Sequence, residues 1–353
     1  MKKKELTEIK ALLLSIGFIA IDETYSKYLM EQGKVVSDFL FVDNHHYEKW
    51  IFIKISPTNR VRLIQTETSH IKLKYSCVDG VYIYDEINDS IIIDNLNIEK
   101  AMVHCPEQLY LGLYETCSYG CSYCPLTLNK TIVKYDYDSM IREIDQFDIN
   151  DIKGVCITSA IPPYMTSKQV NDELFKIMLI LSTYLGPEIP LGVCTRFCDK
   201  DTLKMFHDLG VSEFRINLET INVDLANRIS PKKDVNQILK SLEDAVTVFG
   251  IGKVSSNLLL EIGETDEDVE SAVQRLCSIG VIPTLSPYDI VRQKHKSLER
   301  LAGKKLERVS QQRLISLAQM HKESMNAHRL LKNTLRTMCP ACTGSHIMPG
   351  IDI

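Results

Sequence analysis

The sequence predicts an α/β protein: a partial (β/α)6 TIM-like barrel with a small N-terminal α+β domain and a C-terminal helical, cysteine-containing tail. Two observations lead to this fold. From residue 108 onwards, six short apolar runs alternate with amphipathic helical segments, which is typical of right-handed βαβ units and a parallel sheet. Glycine follows several helical segments, as at Gly210, Gly250 and Gly280, and glycine commonly ends a helix. Six units suit a partial barrel better than a closed eight-stranded one.

The first part of the prediction covers residues 1–100, a small β-rich accessory domain. It opens with an amphipathic helix over Glu5–Ile16, and turn residues such as Asp79 and Gly80 separate the later apolar runs. The predicted strands are Asp38–Val42, Lys49–Ile55, Val61–Gln65, Ile71–Tyr75, Val81–Tyr84 and Ile91–Ile93.

The barrel is predicted over residues 101–290, and a helical C-terminal extension over 291–353 has an amphipathic stretch near Leu306–Leu331. The predicted barrel strands are Gln108–Tyr114, Gly154–Thr158, Leu191–Thr195, Glu213–Leu218, Lys253–Leu260 and Val281–Leu285. The predicted barrel helices are Asp138–Gln146, Lys168–Tyr184, Lys200–Leu209, Val235–Phe249 and Asp266–Ser278. Because functional groups of such barrels lie at the carboxyl ends of the strands, residues directly after a strand are the site candidates.

Composition narrows the class of function. The chain has 353 residues, of which 44% are hydrophobic and 25% charged, as in ordinary globular proteins. A formal net charge of −5 argues against a dedicated nucleic-acid binder. We expect a cytoplasmic protein, because charged residues follow the N-terminal lysines and no run of 18 apolar residues occurs. In a reducing compartment, 11 cysteines indicate metal or redox chemistry more than disulfides.

The most specific motif is C-x3-C-x2-C, formed by Cys117, Cys121 and Cys124 directly after the first barrel strand. At this cysteine frequency, a specified triplet arises by chance roughly once in a hundred such chains. Three thiolates can hold three irons of a [4Fe–4S] cube and leave the fourth iron open to a small molecule. A structural zinc would need a fourth ligand of matching spacing, and no second cysteine pair lies nearby in the sequence.

A second, weaker cysteine pattern ends the chain. Cys339 and Cys342 are spaced as C-x2-C in a tail that could fold over the barrel mouth, and they predict a second metal site. Cys105, Cys277 or His346 could complete it, and the sequence does not choose among them. The competing interpretation is a redox-active or merely exposed pair.

The triplet and its context resemble the radical S-adenosylmethionine (SAM) superfamily over about residues 105–290. The stretches Phe214–Thr220 and Asn257–Asp268 are similar to its biotin synthase-like branch, which includes biotin synthase, hydrogenase maturases and two-component lipoyl synthase relatives. The first stretch contains the acid Glu219 at the end of a predicted strand, and Gly263-Glu264-Thr265 in the second resembles the family's Gly-x-Glu-Thr turn. Many members carry a Gly-Gly-Glu turn after the second strand; its absence here agrees with this branch.

This resemblance implies roles for particular residues. Glu219 is expected to bind the SAM ammonium group, and the backbone of the turn at Gly263 and Glu264 to cradle the adenosine. Arg196 is a candidate for pairing with the SAM carboxylate through a bidentate contact, with Lys233 as the alternative. Further cofactor-binding candidates lie near the ends of strands or beside the cysteines: Tyr123, Ser159, Asn217 and Asn257.

The resemblance also implies a reaction. An electron from a flavodoxin- or ferredoxin-type donor would cleave SAM, and the resulting 5′-deoxyadenosyl radical would abstract hydrogen from an unactivated C–H bond of a small-molecule or protein-bound substrate. If the tail binds a second Fe–S cluster, sulfur insertion of the lipoyl or biotin synthase type is the leading hypothesis, which makes the protein a sulfurtransferase. The alternatives are maturation of a metal cofactor, modification of a protein side chain, a non-catalytic iron–sulfur scaffold or sensor, and a zinc-binding module.

Overall fold

The computed structural model describes residues 3–42, 48–129, 131–288, 292–332 and 335–353. Its strands form two sheets, one from the first hundred residues and one from the middle of the chain. No helix among these residues has the length and apolar character needed to cross a membrane.

The first sheet is mixed and has eight strands, and two helices belong to the same part of the chain. Its elements are α1 Lys3–Ile16, β1 Phe18–Ile21, α2 Glu23–Glu31, β2 Leu40–Val42, β3 Lys49–Lys54, β4 Arg60–Gln65, β5 Ile71–Ser76, β6 Gly80–Asp85, β7 Ser90–Ile93 and β8 Asn97–Glu99. The strand order is β2-β3-β4-β1-β5-β6-β7, with β8 beside β3. The central strand β1 was not predicted, and the predicted strand Asp38–Val42 begins with a 3₁₀ turn over Val36–Phe39.

The second sheet confirms the predicted partial barrel. Its elements are β9 His104–Cys105, β10 Gln108–Gly112, α3 Tyr137–Ile144, β11 Gly154–Thr158, α4 Ser167–Leu185, β12 Leu191–Thr195, α5 Lys200–Asp208, β13 Glu213–Ile216, α6 Val223–Ile229, α7 Val235–Phe249, β14 Val254–Leu260, α8 Asp266–Ser278 and β15 Val281–Pro287. Strands β10 to β15 are parallel and neighbour one another in chain order. Their interiors are largely buried on both faces, as expected where helices cover the outside of a parallel sheet.

One face of this sheet lines the barrel lumen. The register pairs Tyr110 with Cys156 and Cys194 with Arg215, so these side chains share a face. Arg215 Nη2 also lies 3.5 Å from Thr284 Oγ1, although β13 and β15 are not neighbours in the sheet. That contact crosses the inside of the curve, and it identifies this face as the lumen.

The chain ends with three helices: α9 Arg292–Ala302, α10 Gln311–Ala327 and α11 Met338–Cys342. The tail that carries α11 closes the amino end of the barrel. Glu213, at the start of β13, accepts hydrogen bonds from the N–H groups of Arg336 and Thr337 at 2.7 and 2.9 Å and from Thr337 Oγ1 at 2.6 Å. The tail therefore does cover a barrel mouth, but at the end opposite the carboxyl ends of the strands, where the Cys117 motif lies.

Two glycines make room for this tail, and they provide a first prediction. A Cβ on Gly192 would lie 2.5 Å from Thr337 Oγ1, and a Cβ on Gly154 would lie 2.6 Å from the Arg336 carbonyl oxygen. We expect Gly192→Ala to lower the free energy of unfolding by about 1–3 kcal/mol, because packed atoms must shift. Gly112→Ala is the matched control, since nothing lies within 4 Å of its added Cβ. Equal urea midpoints for the two variants would contradict this role of the tail.

Two fully buried histidines predict an acid sensitivity of the fold. Burial lowers the pKa of His321 to about 3 and that of His346 well below its usual value. Below about pH 6.5 the unfolded chain therefore binds protons at these histidines that the folded chain does not bind. The free energy of unfolding then decreases as the pH is lowered, by up to about 1.4 kcal/mol per pH unit for each histidine. His346→Gln should flatten urea midpoints measured between pH 7 and pH 4, whereas His207→Gln, at an exposed position, should not. Parallel curves for the wild type and His346→Gln would exclude this contribution.

Candidate active site

The cysteine motif lies in the loop that follows β10, at the carboxyl end of the barrel. Neighbouring segments fix the shape of this loop: the Ser122 N–H donates to the Ile229 carbonyl at 2.8 Å. Lys294 Nζ donates to the carbonyl oxygens of Cys121 and Cys124 at 2.5 and 3.0 Å. The backbone around the motif is thus held from two sides, by α6 and α9.

The thiols of Cys121 and Cys124 lie in different surroundings. Cys121 Sγ accepts hydrogen bonds from Ser230 Oγ at 2.9 Å and from Arg196 Nη2 at 3.4 Å. Burial, with the nearby Cys121 thiol, raises the pKa of Cys124 to about 11. Iron binding would have to displace that proton, since the thiolate is the form that binds metal. Among the described residues no three His, Cys, Asp or Glu side chains meet around a single metal ion; cysteines that each bind a different iron of a cube need not meet at one point.

Arg196 lies where the sequence predicted it, after β12 and beside the motif. Its guanidinium stacks on the Tyr119 ring at 3.9 Å, a cation–π contact that fixes the plane of the group. Nη2 is directed at Cys121, while Nη1 is buried with no hydrogen-bond partner in the described chain. A buried donor without an acceptor is costly, so Arg196 is suited to receiving an anionic group beside the cysteines.

Glu219 follows β13 in a left-handed conformation, with φ of 65°. Such strain in a non-glycine residue persists only where the surroundings enforce it, here by hydrogen bonds of its backbone to Asn257 and Leu259 at 2.8 and 3.0 Å. Its carboxylate accepts hydrogen bonds from Tyr123 Oη and Lys233 Nζ. Burial raises the pKa of Glu219, and the charge of Lys233 opposes that rise.

The structure therefore brings Tyr123 and Glu219 together next to the cysteine loop. Tyr123 Oη also lies 3.1 Å from Ser230 Oγ, the group that contacts Cys121. Lys233, the predicted alternative to Arg196, is instead bonded to Glu219. Of these two cations, Arg196 is the one with a buried nitrogen, Nη1, that has no hydrogen-bond partner in the described chain.

Three other predicted residues have local partners. Asn217 Oδ1 accepts from Arg215 Nε at 2.7 Å, and Asn257 Oδ1 accepts from Thr284 and Ser286, both at 2.8 Å. These asparagines belong to a polar network on the lumen face. Ser159 Oγ donates to the carbonyl of the next residue at 2.7 Å, so only its position at the end of β11 links it to the site.

The predicted turn at Gly263 and Glu264 forms, but the side chain of Glu264 occupies the backbone N–H groups inside it. The Glu264 carboxylate accepts from the N–H groups of Glu261, Ile262 and Gly263 at 3.0, 2.9 and 3.1 Å, and it pairs with Arg313 at 2.9 Å. These donors are thus occupied within the turn itself. Ile262 packs in the apolar cluster that contains Cys121 and Tyr123, so the turn borders the site through this side chain. A role for Gly263 and Glu264 in holding adenosine stays a prediction.

The tail cysteines lie apart from this site. Cys342 is buried against Cys105 and Phe52, and a hydrogen bond from Cys105 lowers the pKa of the Cys342 thiol. Cys339 lies beside Arg215. Of the three residues suggested to complete a second metal site, Cys105 is the one in contact with the tail pair, while Cys277 packs from α8 near Ser324. The second metal site at Cys339 and Cys342 stays a prediction.

Two residues of the site were not predicted as such. Lys294 comes from α9, and it is separated from Cys121 by 173 positions, so no local pattern connects them. Ser230 begins the run Ser-Pro-Lys-Lys, which ends at the candidate Lys233. Its position before Lys233 in the loop after α6 is the signal that could have identified it.

Comparison with known sequences decides the family. The profile of the radical SAM superfamily matches residues 112–276, a range that contains the three cysteines, Arg196 and Glu219. Residues 112–276 therefore form a radical SAM domain. Its predicted cofactors, a [4Fe–4S] cluster and SAM, are those of this superfamily. The buried free donor of Arg196 beside the cysteine loop fits an anionic group bound there.

The individual proteins that this chain resembles are distant in sequence. The heme chaperone HemW of Lactococcus lactis subsp. lactis is 22% identical over 199 residues, which is 55% of this chain and 52% of the relative. The chain thus spans about half the length of this curated relative. Among solved structures, methylornithine synthase (PylB) is similar with a TM-score of 0.52 and 13% identity, over 69% of this chain and 72% of that one. The hydrogenase maturase HydG from Carboxydothermus hydrogenoformans has a TM-score of 0.50 and 13% identity, over 63% and 52% of the two chains. These likenesses show the fold alone.

Proposed function

We propose that this protein is a radical SAM enzyme in which Cys117, Cys121 and Cys124 hold a [4Fe–4S] cluster, and Arg196 and Glu219 bind SAM beside it. The observation that carries the proposal is the convergence of a spare guanidinium donor and a buried carboxylate on the surroundings of Cys121. When bound, the cluster supplies one electron that cleaves a carbon–sulfur bond of SAM, and the 5′-deoxyadenosyl radical takes a hydrogen atom from the substrate.

Arg196 and Glu219 suit the two charged ends of an amino acid. Tyr119 fixes the plane of the Arg196 guanidinium, and Nη1 offers a charge-assisted hydrogen bond to a carboxylate. Glu219 already binds one ammonium group, that of Lys233. The SAM ammonium group would share or replace this contact, so Lys233 keeps the carboxylate charged and oriented until SAM arrives.

The residues around the cysteines also limit access of water. An apolar cluster that contains Cys121 and Tyr123 is completed by side chains from α6, α9 and the turn after β14: Leu225, Ile229, Ile262, Leu298 and Ala302. A carbon radical must be kept from stray hydrogen donors, and a closed apolar wall serves that purpose.

Anaerobic reconstitution with iron and sulfide tests this function. We expect four irons per chain and, on addition of dithionite and SAM, release of 5′-deoxyadenosine. A flavodoxin or ferredoxin should replace dithionite as electron donor. A colourless protein that holds zinc, or a reconstituted cluster that does not cleave SAM, would reject the enzyme and favour the zinc module or the non-catalytic iron–sulfur scaffold.

The reaction that follows hydrogen abstraction depends on whether the cysteines of the tail bind a second cluster. Sulfur insertion, in a biotin synthase-like enzyme, requires a second cluster, for which Cys339, Cys342 and the adjacent Cys105 are the proposed ligands. Eight irons per chain, with Cys339→Ala removing the extra set, would support it. Four irons in both proteins would reject sulfur insertion and leave metal-cofactor maturation or side-chain modification.

A further inference from the structure

Arg215 is a buried cation with a free donor on the lumen face of the barrel. Arg215 as a whole residue is only 3% exposed. Nε donates to Asn217 Oδ1 at 2.7 Å and Nη2 lies 3.5 Å from Thr284 Oγ1, whereas Nη1 has no hydrogen-bond partner in the described residues. A guanidinium keeps its charge even when buried, so this site carries a full positive charge inside the protein.

No carboxylate among the described residues forms an ion pair with Arg215. The nearest carboxylate along the strand, Glu213, is occupied by three donors of the tail. The groups that do face the guanidinium are thiols and a phenol, from Cys339, Cys194 and Tyr110, and Cys339 is also a side-chain hydrogen-bond partner of Arg215. A thiol sulfur is only a weak hydrogen-bond acceptor, and a buried charge without a carboxylate beside it is strongly unfavourable.

Polar side chains line the lumen face beside Arg215. Tyr110, Asn217 and Asn257 lie on this face and are partly exposed. The residues directly before and after each of them in the chain are buried. Asn257 binds the hydroxyl groups of Thr284 and Ser286 on the neighbouring strand. A column of hydrogen-bonding groups thus leads from Arg215 towards Glu219 at the carboxyl end of β13.

We propose that the substrate of this enzyme enters the lumen with a carboxylate group that pairs with Arg215. This inference rests on the proposed function and names the class of its substrate. A single guanidinium matches a monoanion, and the carboxylate of Glu213 two residues along the same face disfavours a doubly charged phosphate. Arg215 and Glu219 are four residues apart, which corresponds to at most about 13 Å of extended chain, so the reacting C–H bond lies several bonds from the carboxylate.

Stability gives the first test. An uncompensated charge retained for binding should cost stability, so Arg215→Met, in the protein without substrate, is expected to melt no lower than the wild type and to melt higher if the charge is wholly unpaired. Arg142→Met, at an exposed position on α3, is the control for losing an arginine. A clear loss of melting temperature in Arg215→Met, matched by Cys339→Ala, would show that a Cys339 thiolate is the structural partner of Arg215 and would overturn the proposal.

Ligand binding gives the second test. Reconstituted protein is titrated calorimetrically with acetate, butyrate and hexanoate against the neutral amides acetamide and butyramide at constant ionic strength. We expect the carboxylates to bind and the amides not to bind, with Arg142→Met like the wild type and Arg215→Met weakened by more than about tenfold. Equal binding to Arg215→Met, or no carboxylate binding to the wild type, would overturn the proposal.

The same preparations separate this inference from the proposed function. Absence of SAM cleavage in the wild type would reject radical chemistry, while the carboxylate titration would still decide whether Arg215 binds an anion. An iron count of eight that falls to four in Cys339→Ala would instead place a cluster next to Arg215 and overturn the carboxylate assignment.

Discussion

Replacement of Cys121 by alanine is expected to abolish both iron retention and SAM cleavage. Cys121 is one of three thiols in the loop after β10, and its sulfur is the one bonded by Ser230 and Arg196. Loss of residues that merely orient a metal ligand costs 10- to 100-fold in affinity or activity, so loss of a ligand should cost more than about a hundredfold. Iron per chain and 5′-deoxyadenosine formed after dithionite addition are the measurements.

The matched control is Cys77→Ala. Cys77 is an exposed cysteine in the turn between β5 and β6, away from the barrel, and its removal should leave both quantities unchanged. If Cys121→Ala kept four irons and cleaved SAM at the rate of the control, the assignment of the motif as the cluster ligand would be wrong.

The largest expected effect on stability comes from Lys10→Met. Lys10 Nζ lies 2.8 Å from Asp352 Oδ2 and donates to the Thr343 carbonyl at 2.8 Å, and neither side chain of the ion pair is accessible. Removing one partner of a buried pair leaves the other charge uncompensated, which typically costs 3–5 kcal/mol. We expect urea unfolding to show a loss of about that size, because the methionine stem fills the space without neutralising Asp352.

Two further variants separate charge from packing. Lys10→Met combined with Asp352→Leu removes both charges and should recover most of the lost stability. Lys4→Met breaks an exposed pair with Glu8 on the same helix, with side chains 87% and 47% exposed, and should cost less than about 1 kcal/mol. A double variant as unstable as Lys10→Met alone would show that the loss arises from packing rather than from the stranded charge.

The barrel was readable from the sequence because its strands and helices carry strong periodic patterns. Gly154–Thr158 and Leu191–Thr195 are continuous small or apolar runs, and α7 and α8 were predicted with the bounds that the structure shows. Strand β1 was missed because four apolar residues directly after an amphipathic helix are compatible with either structure. Its parallel pairing with β4 and β5 depends on contacts far along the chain.

The site was predictable where one local motif carried it. The cysteine spacing and the acid after β13 are local patterns, and the structure places Glu219 in contact with Tyr123 of the cysteine loop. The ion pair between Glu264 and Arg313 was not predictable, because Arg313 lies on α10, 49 positions away. The isolation of Arg215 was hidden for a related reason: a missing partner becomes visible only when every neighbour is in place.

The hydrogen bonds that join the last residues of the described chain to earlier residues have a consequence for the order of folding. Asp352 binds a lysine 342 positions earlier, and Thr337 binds a glutamate 124 positions earlier at the base of the barrel. During synthesis, the amino end of the barrel therefore stays open, with Lys10 without its partner, until residues 337–352 have emerged. Contacts of such long sequence separation form slowly, so we expect the lumen to stay accessible from the amino end of the barrel until late in folding. The last stretch of the described chain acts as the closing step of folding, and it should protect the lumen only once the whole barrel exists.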